Sequence, residues 1–251
     1  MRFVRFAIGS TIGYGLVEDG SIRAITTTPF LPWDRSDETF TLDQVRILAP
    51  VLPSKVVAVG LNYKAHAEET GATLPEEPMI FMKPTTAVVG PGDAIHLPPS
   101  SERVDPEAEL AVVIGRAIRN ASEYASHDAI LGYTCGNDVT ARDLQARDVQ
   151  FTRAKGFDTF CPLGPHIETD ADPSHLGLQC RVNGEVRQDS NTSDLIFNVP
   201  QLVAFVSSVM TLLPGDVILT GTPAGIAPIE AGDTVEVEIE GIGVLRNPVT
   251  A

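Results

Sequence analysis

Cysteine and positive charge are both scarce in this chain of 251 residues. The three cysteines, Cys135, Cys161 and Cys180, are odd in number and widely spaced, and no Cys-x-x-Cys pair occurs. That speaks against zinc-ribbon or thioredoxin-like chemistry and leaves reduced, mostly buried thiols as the reading. Eighteen Lys plus Arg stand against thirty-three Asp plus Glu, a formal net charge of −15. A nucleic-acid backbone or an anionic membrane surface would meet a repulsive field, so neither is expected as a partner. Apolar runs are short, Leu110 to Ile114 being among the longest, whereas a bilayer span takes about 20 residues. The basic start Met1-Arg2-Phe3-Val4-Arg5 runs into Gly9, Gly13 and Gly15 rather than into an apolar stretch with a cleavage site, so a cytoplasmic location is expected. The chain has no P-loop, Gly-x-Gly-x-x-Gly, Gly-x-Ser-x-Gly or His-Glu-x-x-His motif, and nucleotide, serine-hydrolase and zincin chemistries lose their usual markers. What remains, at 43% hydrophobic and 20% charged residues, is enough apolar material for a substantial core.

Turn signals and periodicity predict many short strands and few helices. Residues 3–8 and 12–18 read as extended, and Asp19-Gly20 before Ser21 to Ile25 is a hairpin signal because both turn positions tolerate positive φ. Residues 28–41 are polar and Pro-containing, with a short helix expected after a Thr41 cap. Residues 1–50 thus form a small N-terminal β region, and residues 51–251 a second, larger unit. There the expected elements are a strand at 56–59, a Gly60-Leu61-Asn62 turn and a short helix through 63–69 ended by Gly71. Strands follow at 79–83, 94–97, 109–114 and 131–135, with a helix capped by Ser122 between the last two. Asn183-Gly184 marks a second hairpin. One amphipathic helix spans about 199–211, with Leu202, Val203, Phe205, Val206, Val209 and Met210 as its apolar stripe. The run 234–240 alternates, which places Glu236, Glu238 and Glu240 on a solvent face. Without regular βαβ alternation, the pattern indicates a mixed β (α+β) fold rather than a doubly wound sheet or a (β/α)8 barrel.

Three constellations carry chemistry. Glu107 and Glu109, two apart at the mouth of an apolar strand, share one face, and Asp105 has the same parity. Two like charges so close are tolerated if both are solvated or if a cation lies between them. Asp138 follows the apolar strand 131–135, where it is either a turn-forming Asx residue or a ligand. If Glu107, Glu109 and Asp138 converge, the all-oxygen shell suits Mg²⁺, Mn²⁺ or Ca²⁺ and not zinc. His66 and Glu69, three apart on a helix, share a face, whereas Glu68 points away. A carboxylate beside an imidazole raises its basicity and fixes its tautomer, which suits a water-activating base. Lys155 is a single charge that by itself reads as a solvated side chain.

Together, Gly-x-Asn-Tyr-x-x-His-x-x-Glu at 60–69, Pro-Glu-Ala-Glu-Leu at 106–110, Asn-Asp-Val-Thr-Ala-Arg-Asp at 137–143, Ala-Lys-Gly-Phe-Asp at 154–158 and Leu-Thr-Gly-Thr-Pro-Ala-Gly at 219–225 resemble, in this order, the fumarylacetoacetate hydrolase family. The resemblance covers about residues 54–249 and points to the small acylpyruvase, oxaloacetate decarboxylase and hydroxyheptadienedioate isomerase members. It implies a β-sandwich roll, a homodimer and a divalent metal, Mg²⁺ or Mn²⁺ with Ca²⁺ as a further option, held by Glu107, Glu109 and Asp138. It also implies His66 and Glu69 as the water-activating dyad on a short lid, and Lys155 as the group that stabilises enolate oxygen. Arg142, Gln145 and Thr222 match substrate-contacting positions. The implied substrate is a small acylpyruvate or 2-oxo dicarboxylate. The expected reaction is hydrolysis of a C–C bond in acylpyruvate-type 2,4-dioxo acids by way of a pyruvate enolate, with oxaloacetate decarboxylation as a companion activity. The alternatives are a hydroxyheptadienedioate isomerase or decarboxylase of aromatic catabolism and, from another class, a non-catalytic metal-binding scaffold.

Overall fold

In the computed structural model, which describes residues 1–251, nineteen short strands form a mixed β fold with a few short helices. The strand Ala108–Ile114 lies near the middle of a twelve-stranded sheet. One side of it pairs antiparallel with Ile130–Asn137, which pairs with Cys161–Glu168 and through it with Arg2–Ile8. The other side pairs with Val217–Leu219, followed by Val56–Val59 and the edge strand Ile80–Lys83. A second sheet of five strands is built on the hairpins Gly177–Val182/Glu185–Asn191 and Thr234–Ile239/Gly243–Thr250.

The uninterrupted apolar run at 110–114 follows from this position, because its strand is covered on both faces. Leu110, Val112 and Ile114 point to the core shared with Leu178, Cys180, Val235, Val237 and Ile239 of the second sheet. Ala111 and Val113 point the other way, to a core with Val217, Leu219, Leu163 and Ile167. The three cysteines are free and buried.

The N-terminal strands do not stand apart. Arg2–Ile8 pairs with Cys161–Glu168 through Arg2↔Glu168 and Phe3↔Ile167, so this region extends the large sheet. Both expected hairpins form, with Asp19 and Gly20 at φ 48° and 77° and Asn183 and Gly184 at 53° and 83°. The expected helix after Thr41 is a single 3-10 turn, Leu42–Gln44, and the polar segment before it pairs as the edge strand Arg35–Thr41. The helix Val199–Val209 is capped by Asn198, whose side chain accepts from Gln201 N, and buries Val199, Leu202, Val203 and Val206. Val209 departs from the expected stripe. It is 58% exposed, because the helix ends there and the chain turns extended at Met210. Glu236 and Glu238 also depart from a freely solvated face, since Arg181 donates to both, at 3.1 and 2.6 Å. No helix is long and apolar enough to cross a membrane.

Asp216, in a segment that reads as a turn, ties the large sheet to the segment entering it. Its fully buried carboxylate accepts from Ser54 N, Ser54 Oγ, Lys55 N and Leu213 N at 3.1, 2.6, 3.2 and 2.8 Å, and pairs with Lys55 Nζ. Removing one partner of a buried charged cluster strands the others, so Asp216→Ala is expected to cost about 3–5 kcal/mol in urea unfolding. A loss under about 1 kcal/mol, the scale of an ordinary hydrogen bond, would contradict that role.

His166, on the strand Cys161–Glu168, is pushed down to about 4, chiefly by burial and further by the nearby Arg2 and the N-terminal ammonium, against the opposing pull of Glu168. Its Nε2 is buried without a hydrogen-bond partner. A histidine whose folded value lies below the ordinary 6.5 takes up its proton first in the unfolded chain. Its effect on stability is therefore absent above about pH 6.5, and stability falls between there and pH 4, by about 3 kcal/mol in total. Urea unfolding of wild type and His166→Gln across this window checks it. The variant is expected to show the shallower decline, and parallel profiles would contradict the assignment.

Candidate active site

Glu107, Glu109 and Asp138 meet where two antiparallel neighbours begin and end. Ala108 pairs with Asn137 and Glu109 with Gly136, which sets Glu107, just before its strand, opposite Asp138, just after its own. The backbone closes this junction: Asp138 N donates to Glu107 O at 2.9 Å, and Glu107 N to Asn137 Oδ1 at 3.0 Å. One carboxylate oxygen from each of the three lies within 4.8 Å of the others. All three residues are buried, with exposures of 4%, 1% and 1%. The convergence that spacing alone left open therefore occurs, and the solvated-edge reading of the two glutamates does not hold. Asp105 is drawn elsewhere, its carboxylate gripped by Arg103 at 3.0 and 3.1 Å and by Arg142 Nε at 2.9 Å.

Three buried carboxylates at this separation are costly unless cations face them. Lys155, from the one-turn helix Thr152–Lys155, is buried rather than solvated, and its Nζ lies 2.7 Å from both Glu107 Oε2 and Asp138 Oδ2. Its ammonium also sits 5.2 Å from the centre of the Phe81 ring. Arg142, the first residue of the helix Arg142–Arg147, pairs with Glu107 Oε1 and donates to Gln145 Oε1 at 2.6 Å. Burial by itself would raise Glu107, but Lys155 and Arg142 outweigh it and hold the carboxyl down at about 2. Burial would lower Lys155, yet Asp138 and Glu107 keep it above its ordinary value. Glu109 goes the opposite way. Burial and the charges of Asp138 and Glu107 push it well up, with Lys155 and the Gly221 N–H opposing. The Gly221 N–H, at 2.6 Å, is its hydrogen-bond partner. Glu109, pushed up by burial and by two neighbouring carboxylates, has a backbone N–H and no cationic side chain as its hydrogen-bond partner, and an all-oxygen donor set suits a hard divalent cation. The triad therefore fits such an ion.

His66 and Glu69 lie on the helix Lys64–Thr70, which Gly71 ends in the left-handed conformation at φ 65°. His66 Nδ1 is 3.0 Å from Glu69 Oε2, and the other carboxylate oxygen of Glu69 accepts from Gly225 N at 3.0 Å. Glu68 is exposed, as its position on the helix predicts. The turn after Val217–Leu219 is therefore a common anchor: Gly221 N holds Glu109 and Gly225 N holds Glu69. Asn62 strengthens the link, with its amide donating to Thr220 O at 2.7 Å and to Phe197 O at 3.0 Å. Gly221 is a glycine for steric reasons, since φ is +99° and a Cβ there would come within 2.7 Å of the Asn62 Cβ.

The remaining expected residues occupy definite places. Arg142 and Gln145 flank Glu107 as a bonded pair. Thr222 is buried, and its hydroxyl is engaged inside the fold, donating to Ala108 O at 3.0 Å and accepting from Gln188 Nε2 at 2.8 Å. Its direct action is thus to fix the turn against the Glu109 strand. Two polar residues beside the site escape sequence reasoning. Gln188, from the second sheet, also accepts from Ala108 N at 2.9 Å and donates to Pro223 O at 2.8 Å. Lys83, with a fully buried side chain, pairs with Asp138 Oδ1 and donates to Val139 O at 3.2 Å. The available signal for Lys83 was strand parity with Phe81, which turns both side chains to one face.

The chain is similar in sequence and fold to known proteins. A family model described as fumarylacetoacetate (FAA) hydrolase C-terminal matches residues 55–250, and one described as Rv2993c-like, N-terminal, matches residues 1–50. A crystal structure from Mycobacterium smegmatis described as 5-carboxymethyl-2-hydroxymuconate delta-isomerase is 50% identical, covering 100% of this chain and 99% of that one, with a TM-score of 0.94. The fumarylacetoacetate hydrolase of Exiguobacterium antarcticum is 37% identical over 100% of this chain and 99% of its own, with a TM-score of 0.91. The rat mitochondrial oxaloacetate tautomerase Fahd2a is 46% identical over 82% of this chain and 70% of its own length.

Proposed function

This chain belongs to the fumarylacetoacetate hydrolase family, and on that premise we propose that it is a divalent-metal-dependent hydrolase cleaving a C–C bond in acylpyruvate-type 2,4-dioxo acids. The observation that carries the reading is the His66–Glu69 pair, anchored at Gly225 on the same turn that holds Glu109 through Gly221. Glu107, Glu109 and Asp138 would hold the ion, Mg²⁺ or Mn²⁺, which when bound supplies a Lewis acid for the 2-oxo acid end of the substrate. Glu69 accepts from His66 Nδ1–H and so leaves Nε2 as the base, with the tautomer fixed. His66 takes a proton from water, and the water oxygen adds to the distal carbonyl carbon. As that adduct collapses, the bond to C3 breaks, its electron pair passes to the pyruvate enolate, and the acyl group leaves as a carboxylic acid. The Lys155 ammonium stands against the negative oxygen that develops, and protonation at C3 completes pyruvate. Arg142 and Lys155 supply the local positive charge that brings a dianion into a protein of net charge −15.

A second reading, isomerisation of a hydroxyheptadienedioate-type dienoate, is favoured by the M. smegmatis relative at 50% identity. It uses the same carboxylates and Lys155 with a base that moves a proton and adds no water. Product analysis separates the two. Hydrolysis of acetylpyruvate is expected to release pyruvate and acetate in equal amounts, with one solvent oxygen in the acetate when run in ¹⁸O-water. Turnover of a dienoate to a product of unchanged mass, without cleavage of acetylpyruvate, would overturn the hydrolase assignment.

A further inference from the structure

We propose that Lys83 is a positioning residue that fixes which carboxylate oxygen Asp138 offers to a divalent cation, an inference that rests on the metal-dependent reading above. The three carboxylates are held alike. Glu107 has one oxygen on Arg142, Glu109 has one on Gly221 N, and Asp138 has one on Lys83. Each holder comes from a different element: the helix Arg142–Arg147, the turn after Val217–Leu219, and the edge strand Ile80–Lys83. The second oxygens of Glu107 and Asp138 both face Lys155 Nζ, 2.7 Å from each, and so border one shared space.

Lys83 and Lys155 contact the same carboxylate but differ in what else they do. Lys155 spans two carboxylates, rests on the Phe81 ring and meets the developing oxyanion in the proposed reaction. Its bond to Asp138 competes with that duty. Lys83 has no exposed surface on its side chain, and its second bond, to Val139 O, lies one residue along from the carboxylate it holds. It is thus tied at both bonds to the Asp138–Val139 segment. With an ammonium fixed on Oδ1, Asp138 turns Oδ2 to the space it shares with Glu107, as a one-oxygen ligand of set orientation. Partners of this kind commonly change metal affinity by roughly 10–100-fold when removed.

The test is calorimetric titration of metal-stripped wild type and Lys83→Met with Mn²⁺, with Lys83→Gln as a second neutral variant and far-UV circular dichroism to establish folding. The expected result is one Mn²⁺ bound per wild-type chain and a dissociation constant raised roughly 10–100-fold in a folded variant. Turnover lost at low Mn²⁺ should recover as Mn²⁺ is raised, a split between apparent KM for metal and kcat that a general loss of structure would not give. Simple removal of a like charge would instead tighten Mn²⁺, so an unchanged or lowered dissociation constant in a folded variant overturns the positioning role. Failure of the wild type itself to bind Mn²⁺ would overturn the metal-dependent reading, and this inference with it.

Discussion

Glu109→Gln is expected to abolish divalent-metal binding and turnover together, by well over the roughly 10–100-fold that loss of an outer partner costs. The carboxylate is 1% exposed, shares a 4.8 Å cluster with Glu107 and Asp138, and has one oxygen committed to Gly221 N. A carboxamide has two unattractive choices there. With its oxygen kept on the Gly221 N–H, it turns an NH₂ towards the other two carboxylates and towards any cation between them. Reversed, it sets two N–H donors against one another and strands the Gly221 amide. Either way a ligand oxygen is lost or misplaced, and the set of three offers a cation one carboxylate fewer. The metal-free variant should melt no lower than wild type, because a buried like charge has been removed. Mn²⁺ titration and acetylpyruvate turnover are the paired measurements. Loss of turnover with unchanged metal binding would take Glu109 out of the ligand set.

His66→Ala should separate what Glu109→Gln removes together. His66 does not belong to the carboxylate cluster, so metal binding is expected to stay near the wild-type value, while hydrolysis falls about 10²–10⁴-fold, the usual worth of a positioned general base. Glu69→Gln should also cost heavily, since an amide that keeps its oxygen on Gly225 N turns its NH₂ to His66 Nδ1 and so puts the imidazole proton on Nε2, where the base is needed. Retained hydrolysis in His66→Ala would remove the dyad from the mechanism. A variant that lost Mn²⁺ as well would show that the helix Lys64–Thr70 shapes the metal site itself, contrary to separate roles for His66 and the carboxylates.

Two pairs of site residues were legible as neighbours because they are local in sequence, whereas Asp138 joined Glu107 and Glu109 only through the resemblance. Glu107 and Glu109 follow from a strand's two-residue repeat, His66 and Glu69 from three-residue helical spacing, and the chain-order resemblance joins them. The side chains that hold the set in place were not legible. Lys83 lies 55 residues from Asp138, and Gln188 lies 80 from Ala108. A lone lysine or glutamine with its partner that far away reads as a solvated side chain until the sheet order is known. The strand Cys161–Glu168 was hidden for a different reason. It contains Pro162 and Pro165, which cannot donate to a ladder. The fold accommodates Pro165 where pairing with Ile130–Asn137 is irregular, shifting between Tyr133 and Cys135, while Pro162 lies outside that shift, opposite Val89. The edge strand Arg35–Thr41 was missed because it is mostly exposed and carries no apolar alternation. Its pairing with Ser21–Ile25, rather than burial, holds it in place.

In the proposed function this triad and the His66–Glu69 pair act as one metal-dependent C–C hydrolase centre. The most direct measurement follows acetylpyruvate with chelator-stripped protein, reading loss of enol absorbance and appearance of pyruvate before and after addition of Mg²⁺ or Mn²⁺. No pyruvate release is expected from stripped protein, with release restored in proportion to metal bound. Full turnover without metal, or no turnover with one equivalent of metal bound, would contradict the proposed function.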